Sequence, residues 1–377
     1  MLTLTPPMGW NSWNTFGADI SDKLIRETAD ALVSRGFLEA GYQYLVIDDC
    51  WSKRERDENG CLAADEEKFP QGMKAVSDYV HGKGLKFGMY SCVGVRTCAG
   101  YPGSFDHEFV DAKIFADWGV DFLKYDFCYK PEYANDALLY RRMGMALKVA
   151  GRDILYSACN WGTDDAGTWM RSAGANMYRS TEDIVDNFQS IRNIALSQVE
   201  KLCYSAPGCF NDMDMLVVGM YGKGNVSFGG CNDAEYRTHF ALWCLFGSPL
   251  MIGCDIRNLS RESEVLLKNK GLISINQDAE CRAPQLVSKS EEHYCFARQL
   301  AKDEYAIAYF NLADKECEIT CLLSDVGLSL NSGYGLQMTD VFTEKQFGVY
   351  TEFCNCKVQP HDCRVLKAKL VKITCKK

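Results

Sequence analysis

The run VDFLKYDFCY, residues 120–129, places Lys124 and Asp126 two positions apart at the end of an apolar segment. Val120, Phe122 and Leu123 read as a buried β-strand, and residues spaced by two share one face of a strand. Taking an amine and a carboxylate out of water is costly, so partners or a ligand must compensate them. Comparable groups end most of the other apolar runs. Trp10 lies in MGWNSW, Asp48 and Asp49 in YQYLVIDDCW, Tyr90 in LKFGMYSC, and Asn160 and Trp161 in ILYSACNWG. Arg179 lies in MYRS with Asp183 just beyond, and Asp212 and Asp214 lie in CFNDMDMLVVG. A lone aspartate at a strand end is more often a helix cap or turn former than a catalyst. Six carboxylates converging on one face are not accounted for in that way.

Aspartates interleaved with Trp10, Trp51, Tyr90 and Trp161 suit a sugar. Carboxylates accept hydrogen bonds from hydroxyls, and aromatic faces cover the apolar side of a pyranose. Glycoside hydrolysis needs two carboxyl groups across the scissile bond, one an acid and the other a nucleophile or base. Asp126 is a candidate for one of the two. Other chemistries fit less well. The five histidines are scattered, with no H-x-x-x-H spacing for zinc. Clustered aspartates suit Mg²⁺ or Ca²⁺ mostly alongside phosphate recognition, for which no motif is present. No metal or cofactor is therefore expected.

These groups need a scaffold that gathers strand ends. Eight apolar runs alternate with helical patterns as far as residue 280, such as SDKLIRETADALVSRG from 21, with Ser21 as N-cap and Gly36 as stop. That count and length predict a (β/α)8 barrel, whose chemistry sits at the C-terminal ends of its strands. A doubly wound sheet is disfavoured, since no glycine-rich turn follows the first strand. After NQDAECRAP the texture changes to period-two alternation in HYCFARQL, EYAIAYFNL, ECEITCLL and CRVLKAKL. The expected division is a catalytic barrel over 1–283 and an antiparallel β-sandwich domain over 284–377.

A net charge of −9 without a basic block argues against nucleic acid and anionic membranes as partners. The longest apolar run, FALWCLFGSPLMIGC, is too short to span a bilayer. The expected partner is a small carbohydrate, and a homo-oligomer is compatible with the sequence. Nineteen cysteines without regular metal-binding spacing, and no leader before LTPPMGW, lead to the expectation of a cytoplasmic protein with mostly reduced thiols.

The segments PPMGWNSWN, IDDCW, KFGMYS, TCAGYPGSF, FADWGVDFLKYDFC, YSACNWG and NDMDMLVVG together resemble glycoside hydrolase family 27, the α-galactosidase and α-N-acetylgalactosaminidase family. The resemblance runs from TPPMGWNSWN to NQD, with the β domain following. It implies a retaining exo-glycosidase with Asp126 as nucleophile and Asp183 as general acid/base. It also implies sugar contacts from Trp10, Asp48, Asp49, Tyr90, Lys124, Arg179 and Asp214. Lys124 and Arg179 are then expected to keep Asp126 ionised, and the surroundings of Asp183 to raise its pKa. Asp48 and Asp49 would take the 4- and 6-hydroxyls. Cys98 and Cys128 match a cysteine pair of the family and are counted with the expected substrate-binding residues, although the sequence leaves open whether they are joined here. Cys50 and Cys159 lack the partners found in animal members, because Thr15 and Ala175 stand at those positions.

The loop CNWGTDD faces the substituent on C2 of the sugar in this family. Galactose-specific members often carry Glu at the position of Asn160, and N-acetylgalactosaminidases have smaller residues there and at Thr163. Asn160, next to Trp161, can bond a 2-hydroxyl, and CNWG resembles bacterial α-galactosidases. Galactose is therefore the expected sugar. The alternatives are N-acetylgalactosamine and β-L-arabinopyranose, and the intact IDD argues against the latter because arabinopyranose has no C6 group to bind.

Overall fold

The computed structural model describes residues 2–373, so Met1 and the last four residues of the expected second domain lie outside the described residues. Eight parallel strands form the first unit: β1 (Met8–Asn11), β2 (Tyr44–Val46), β3 (Lys86–Cys92), β4 (Phe122–Asp126), β5 (Leu155–Cys159), β6 (Met177–Arg179), β7 (Phe210–Asp212) and β8 (Leu250–Ile252). They pair in sequence order, with β1 also pairing with β8. The ring closes past β7, where Leu216 N donates to Met251 O and Gly253 N donates to Leu216 O. This is the expected (β/α)8 barrel.

Its interior is a small apolar layer that includes Tyr44, Val46, Phe122, Leu155, Met177, Phe210 and Met251. Space there is tight enough to require glycine. A Cβ on Gly88 would lie 2.6 Å from Val46 Cγ2 and 3.2 Å from Phe122 Cβ. The alternate residues face outward and pack beneath the helices.

Those helices are α1 (Trp13–Phe16), α2 (Asp22–Ser34), α3 (Gly72–Gly82), α4 (Glu108–Asp117), α5 (Asp136–Val149), α6 (Phe188–Gln198), α7 (Asp233–Phe246), α8 (Arg261–Leu267) and α9 (Lys270–Asn276). Local signals set their ends. Ser21 Oγ accepts from Leu24 N at the start of α2, and Gly36 takes φ = 72° just past its end. Asn232 and Glu235 form a capping box on α7. One crossover is different. Between β5 and β6 there is only a 3₁₀ turn over Thr163–Thr168, so the outer layer lacks a helix there.

Antiparallel strands follow: β9 (Gln285–Ser290), β10 (His293–Gln299), β11 (Glu304–Asn311), β12 (Cys317–Leu322), β13 (Tyr334–Asp340), β14 (Gln346–Tyr350), β15 (Phe353–Val358) and β16 (Cys363–Lys372). Six form one sheet in the order β14-β13-β16-β11-β10-β9, and β12 pairs with β15. Ile307, Tyr309, Leu336 and Met338 from the first sheet pack with Ile319, Cys321, Cys354 and Cys356 from the second. The opposite face of the large sheet joins the barrel core through Phe296, Phe310 and Val365. Among the described residues no helix is long and apolar enough to cross a membrane.

Candidate active site

The parallel register brings the polar strand ends into tiers. Tyr90 on β3 pairs with Lys124 on β4, and Arg179 on β6 pairs with Asp212 on β7. One pocket at this end is lined by Asp48, Asp49, Tyr90, Cys98, Lys124, Asp126, Trp161, Arg179, Asp183 and Asp214. Five carboxylates thus face two cations, a surface suited to accepting hydrogen bonds from hydroxyl groups.

Asp126 ends β4, is buried, and has both carboxylate oxygens oriented. Oδ2 accepts from Tyr90 Oη at 3.0 Å and Oδ1 from Phe127 N at 2.9 Å. Lys124 Nζ donates to Asp48 Oδ2 at 2.8 Å, which Asn11 Nδ2 also meets at 2.8 Å. The opening pair of residues is therefore compensated across strands: Lys124 leans on Asp48, and Asp126 on Tyr90. Burial works against the charge on Lys124, but Asp48 and Asp126 outweigh it and raise its pKa. Asp49 Oδ2 accepts from Ala99 N and Oδ1 from Cys50 N, which pins the turn after β2.

On the opposite wall Arg179 bridges two carboxylates, Asp183 at 2.6 Å and Asp214 at 2.9 Å. Asp214 lies outside β7 in a left-handed conformation (φ = 82°), with Oδ2 accepting from Ile184 N at 2.7 Å. That turn is why the long run CFNDMDMLVVG forms only a three-residue strand. Asp212 lies below the pocket, and burial lifts its carboxyl to about 6.

The electrostatics differ from the sequence expectation. Arg179 is engaged by Asp183 and Asp214 rather than Asp126. Burial raises the Asp126 carboxyl despite the opposing charge of Lys124. For Asp183, whose side chain is 72% exposed, the burial penalty is outweighed by the Arg179 guanidinium, which holds the carboxyl below its ordinary value.

Three expected contacts are not on the pocket wall. Trp10 is fully buried, with Nε1 donating to Cys254 O at 2.8 Å. Asn160 is fully buried too. Its Nδ2 donates to Thr163 O at 2.8 Å and its Oδ1 accepts from Gly162 N at 3.3 Å, so its amide shapes its own loop. Cys128 lies behind Cys98, to which it is joined by a disulfide. These sulfurs and Asp126 are close together, but bonded sulfurs offer no thiolate to a metal. Sequence reasoning missed Trp13, Asn14, Ile184, Met215 and Val226, which complete the wall. Trp13 and Asn14 stand in the WNSWN run and were legible there. Val226 lies on a long loop with no periodic signal.

A family model described as alpha galactosidase A matches residues 5–278, and one described as the alpha galactosidase C-terminal beta sandwich domain matches 290–368. The chain belongs to the α-galactosidase family. It is 40% identical over 367 residues to an α-galactosidase of Oryza sativa subsp. japonica, covering 96% of this chain and 84% of that protein. The structure of α-galactosidase I from Mortierella vinacea superposes with a TM-score of 0.90 at 32% identity, covering 99% of each chain. That of the Saccharomyces cerevisiae α-galactosidase with raffinose gives 0.87 at 28%, covering 98% of each. Matching α-galactosidases come from plants, fungi and bacteria alike, so the bacterial kinship suggested by CNWG is not singled out.

Proposed function

We propose that the protein is a retaining exo-α-galactosidase that removes terminal α-linked galactose from oligosaccharides or glycoconjugates. The observation that carries this reading is one pocket holding Asp126, oriented by Tyr90 and facing Lys124, opposite Asp183 on its guanidinium. In this reading Asp126 attacks the anomeric carbon and Asp183 protonates the leaving oxygen, then deprotonates the incoming water. Asp48 and Asp49 accept from the sugar hydroxyls, and Trp161 covers an apolar edge. Because Arg179 holds Asp183 in the free enzyme, the glycosidic oxygen must draw Asp183 away as it docks. Loss of that cation and of water raises the carboxyl's pKa, while Asp214 keeps Arg179 in place.

Sixteen unpaired cysteines among the described residues support a reducing, cytoplasmic setting, with the Cys98–Cys128 bridge as the exception. Kinship to the bacterial members rests on CNWG alone.

The test compares hydrolysis of aryl α-galactoside, aryl α-N-acetylgalactosaminide and aryl β-L-arabinopyranoside, with NMR of the first-formed sugar. The α-galactoside is expected to lead and to release the α anomer, with the two carboxyl groups about 5–5.5 Å apart. An initial β anomer means an inverting enzyme and a wrong pair of roles. Equal rates on the acetamido sugar refute the galactose assignment.

A further inference from the structure

Among the described residues sixteen cysteines are unpaired and one pair is joined, and that pair stands at the catalytic pocket. Cys98 is exposed and lines the pocket, and Cys128 behind it is half-buried. Both sulfurs lie within 4.8 Å of a carboxylate oxygen of Asp126. A small thiol can therefore reach the bridge by the route a sugar takes. In a reducing setting disulfides are mostly transient or redox-sensing, and exposed ones are the labile ones.

The bridge joins two loops that carry working groups. Cys98 sits at the tip of a hairpin after β3, where Thr97 N donates to Tyr101 O and Gly100 N to Thr97 O. Its neighbour Ala99 donates its N–H to Asp49 Oδ2 at 2.9 Å. Cys128 lies just past β4, next to Phe127, whose N–H is donated to Asp126 Oδ1. The base of the hairpin is tied independently, because Val95 N donates to Tyr129 O at 3.2 Å. The tip depends more on the bridge. Cys98, Ala99 and Gly100 are exposed or half-buried, and an exposed bond from Arg54 Nη1 to Ala99 O at 3.1 Å is their other tie to the barrel besides Ala99 N. Such a bond weighs little against the freedom an opened tip regains.

We propose that Cys98–Cys128 is a thiol-exchange site through which small thiols regulate the catalytic pocket, resting on the reading of the chain as a galactosidase. A thiolate RS⁻ attacks Cys98 Sγ, the S–S bond breaks, and Cys128 leaves as a thiolate that takes a proton from water. A second RS⁻ attacks the RS sulfur of the mixed disulfide, releasing RSSR and Cys98, which is protonated in turn. Two small thiols are oxidised to one disulfide, and the bridge is reduced to two thiols. Opening loosens the Ala99 donor on Asp49 and leaves two weak S–H donors beside Asp126 in place of a bridge that has none.

The test incubates the full-length enzyme, without denaturant, in graded mixtures of reduced and oxidised glutathione. One aliquot is alkylated and mapped by mass spectrometry, and another is assayed on an aryl α-galactoside. As the bridge opens, kcat/KM is expected to fall at least tenfold, mostly through KM, and to return with oxidised glutathione. At intermediate ratios the mixed disulfide should map to Cys98. The double change Cys98→Ser with Cys128→Ser should show the low value at every ratio, and the titration of the unmodified enzyme carries the test where that variant does not fold. A bridge that stays closed in reduced glutathione overturns the proposal, and so does one that opens with kcat/KM unchanged. A loss that instead tracks an adduct on the exposed Cys203 also overturns it. Absence of hydrolysis by the fully bridged enzyme overturns the functional reading beneath it, and the mass map keeps the two failures apart.

Discussion

The two carboxyl groups proposed for catalysis have pKa values shifted against the roles assigned to them. Burial favours a proton on Asp126, and Arg179 favours its loss from Asp183. The profile of kcat/KM reports the free enzyme and that of kcat the complex. A lowered Asp183 pKa pulls the basic limb of kcat/KM down, because the protonated acid disappears as pH rises. Once substrate displaces Arg179, the basic limb of kcat should lie at higher pH than that of kcat/KM. Initial rates across pH check this, and coincident limbs would mean that Arg179 never releases Asp183. Asn160 gives a second prediction. Direct contact with the 2-hydroxyl was the expectation, but the amide is engaged within its own loop. Asn160→Ala should still cost on the order of 1–3 kcal/mol of transition-state stabilisation, through the loop that carries Trp161. The loss should be the same on 2-deoxygalactosides as on galactosides. A loss confined to substrates that keep the 2-hydroxyl would restore the direct contact.

At the scale of elements, strand ends were legible because apolar runs finishing in Asp, Lys and Arg have little other use. What stayed hidden was how the side chains divide their partners. Lys124 and Asp126 are neighbours on one strand, yet they are satisfied by Asp48 and Tyr90, from β2's turn and β3, and only the parallel register sets that pairing. The sequence reads as alternating strands and helices throughout, so the lack of a helix after ILYSACNWG is a finding of the structure. Strands β9, β13, β14 and β15 were not singled out; β9 is largely exposed, and β14 is interrupted in register, so alternation is weak. Helix α7 carries a further prediction. His239 is fully buried against Trp243, its Nε2 accepts from Val217 N, and Nδ1 has no partner. Burial pushes its pKa down to about 3. Its folded value lies below the ordinary 6.5, so the unfolded chain binds the extra proton between those limits. This contribution to stability is therefore complete above pH 6.5 and falls as pH drops towards 3, by roughly 1.4 kcal/mol per unit. His239→Gln should flatten the fall in denaturant midpoint between pH 6.5 and 4. An unchanged slope would assign the acid sensitivity to other groups.

At the scale of the whole molecule, the β domain is fastened to the barrel by more than apolar contact. Phe246 at the end of α7 meets Phe296 on β10 with ring centroids 5.1 Å apart, and Arg237 forms a two-pronged pair with Asp362. The central fastening is Arg298, a fully buried guanidinium on β10. Its Nη1 donates to Cys244 O at 3.3 Å and Leu245 O at 3.0 Å, the closing carbonyls of α7. A cation at a helix C-terminus is favourably placed against the exposed carbonyl dipoles. That placement offsets part of the burial penalty, which still lowers the Arg298 pKa. Arg298→Ala removes these donors and leaves a cavity between the two units, so a loss of about 2–4 kcal/mol is expected. Because the large sheet and the barrel share one core, the variant should still unfold in a single step at a lower temperature. Calorimetry with paired fluorescence and circular dichroism decides the point. Two separate transitions in the unmodified protein would show that the sheet is an independent unit, and the loss assigned to Arg298 would then have to appear in the separation of the units rather than in barrel stability.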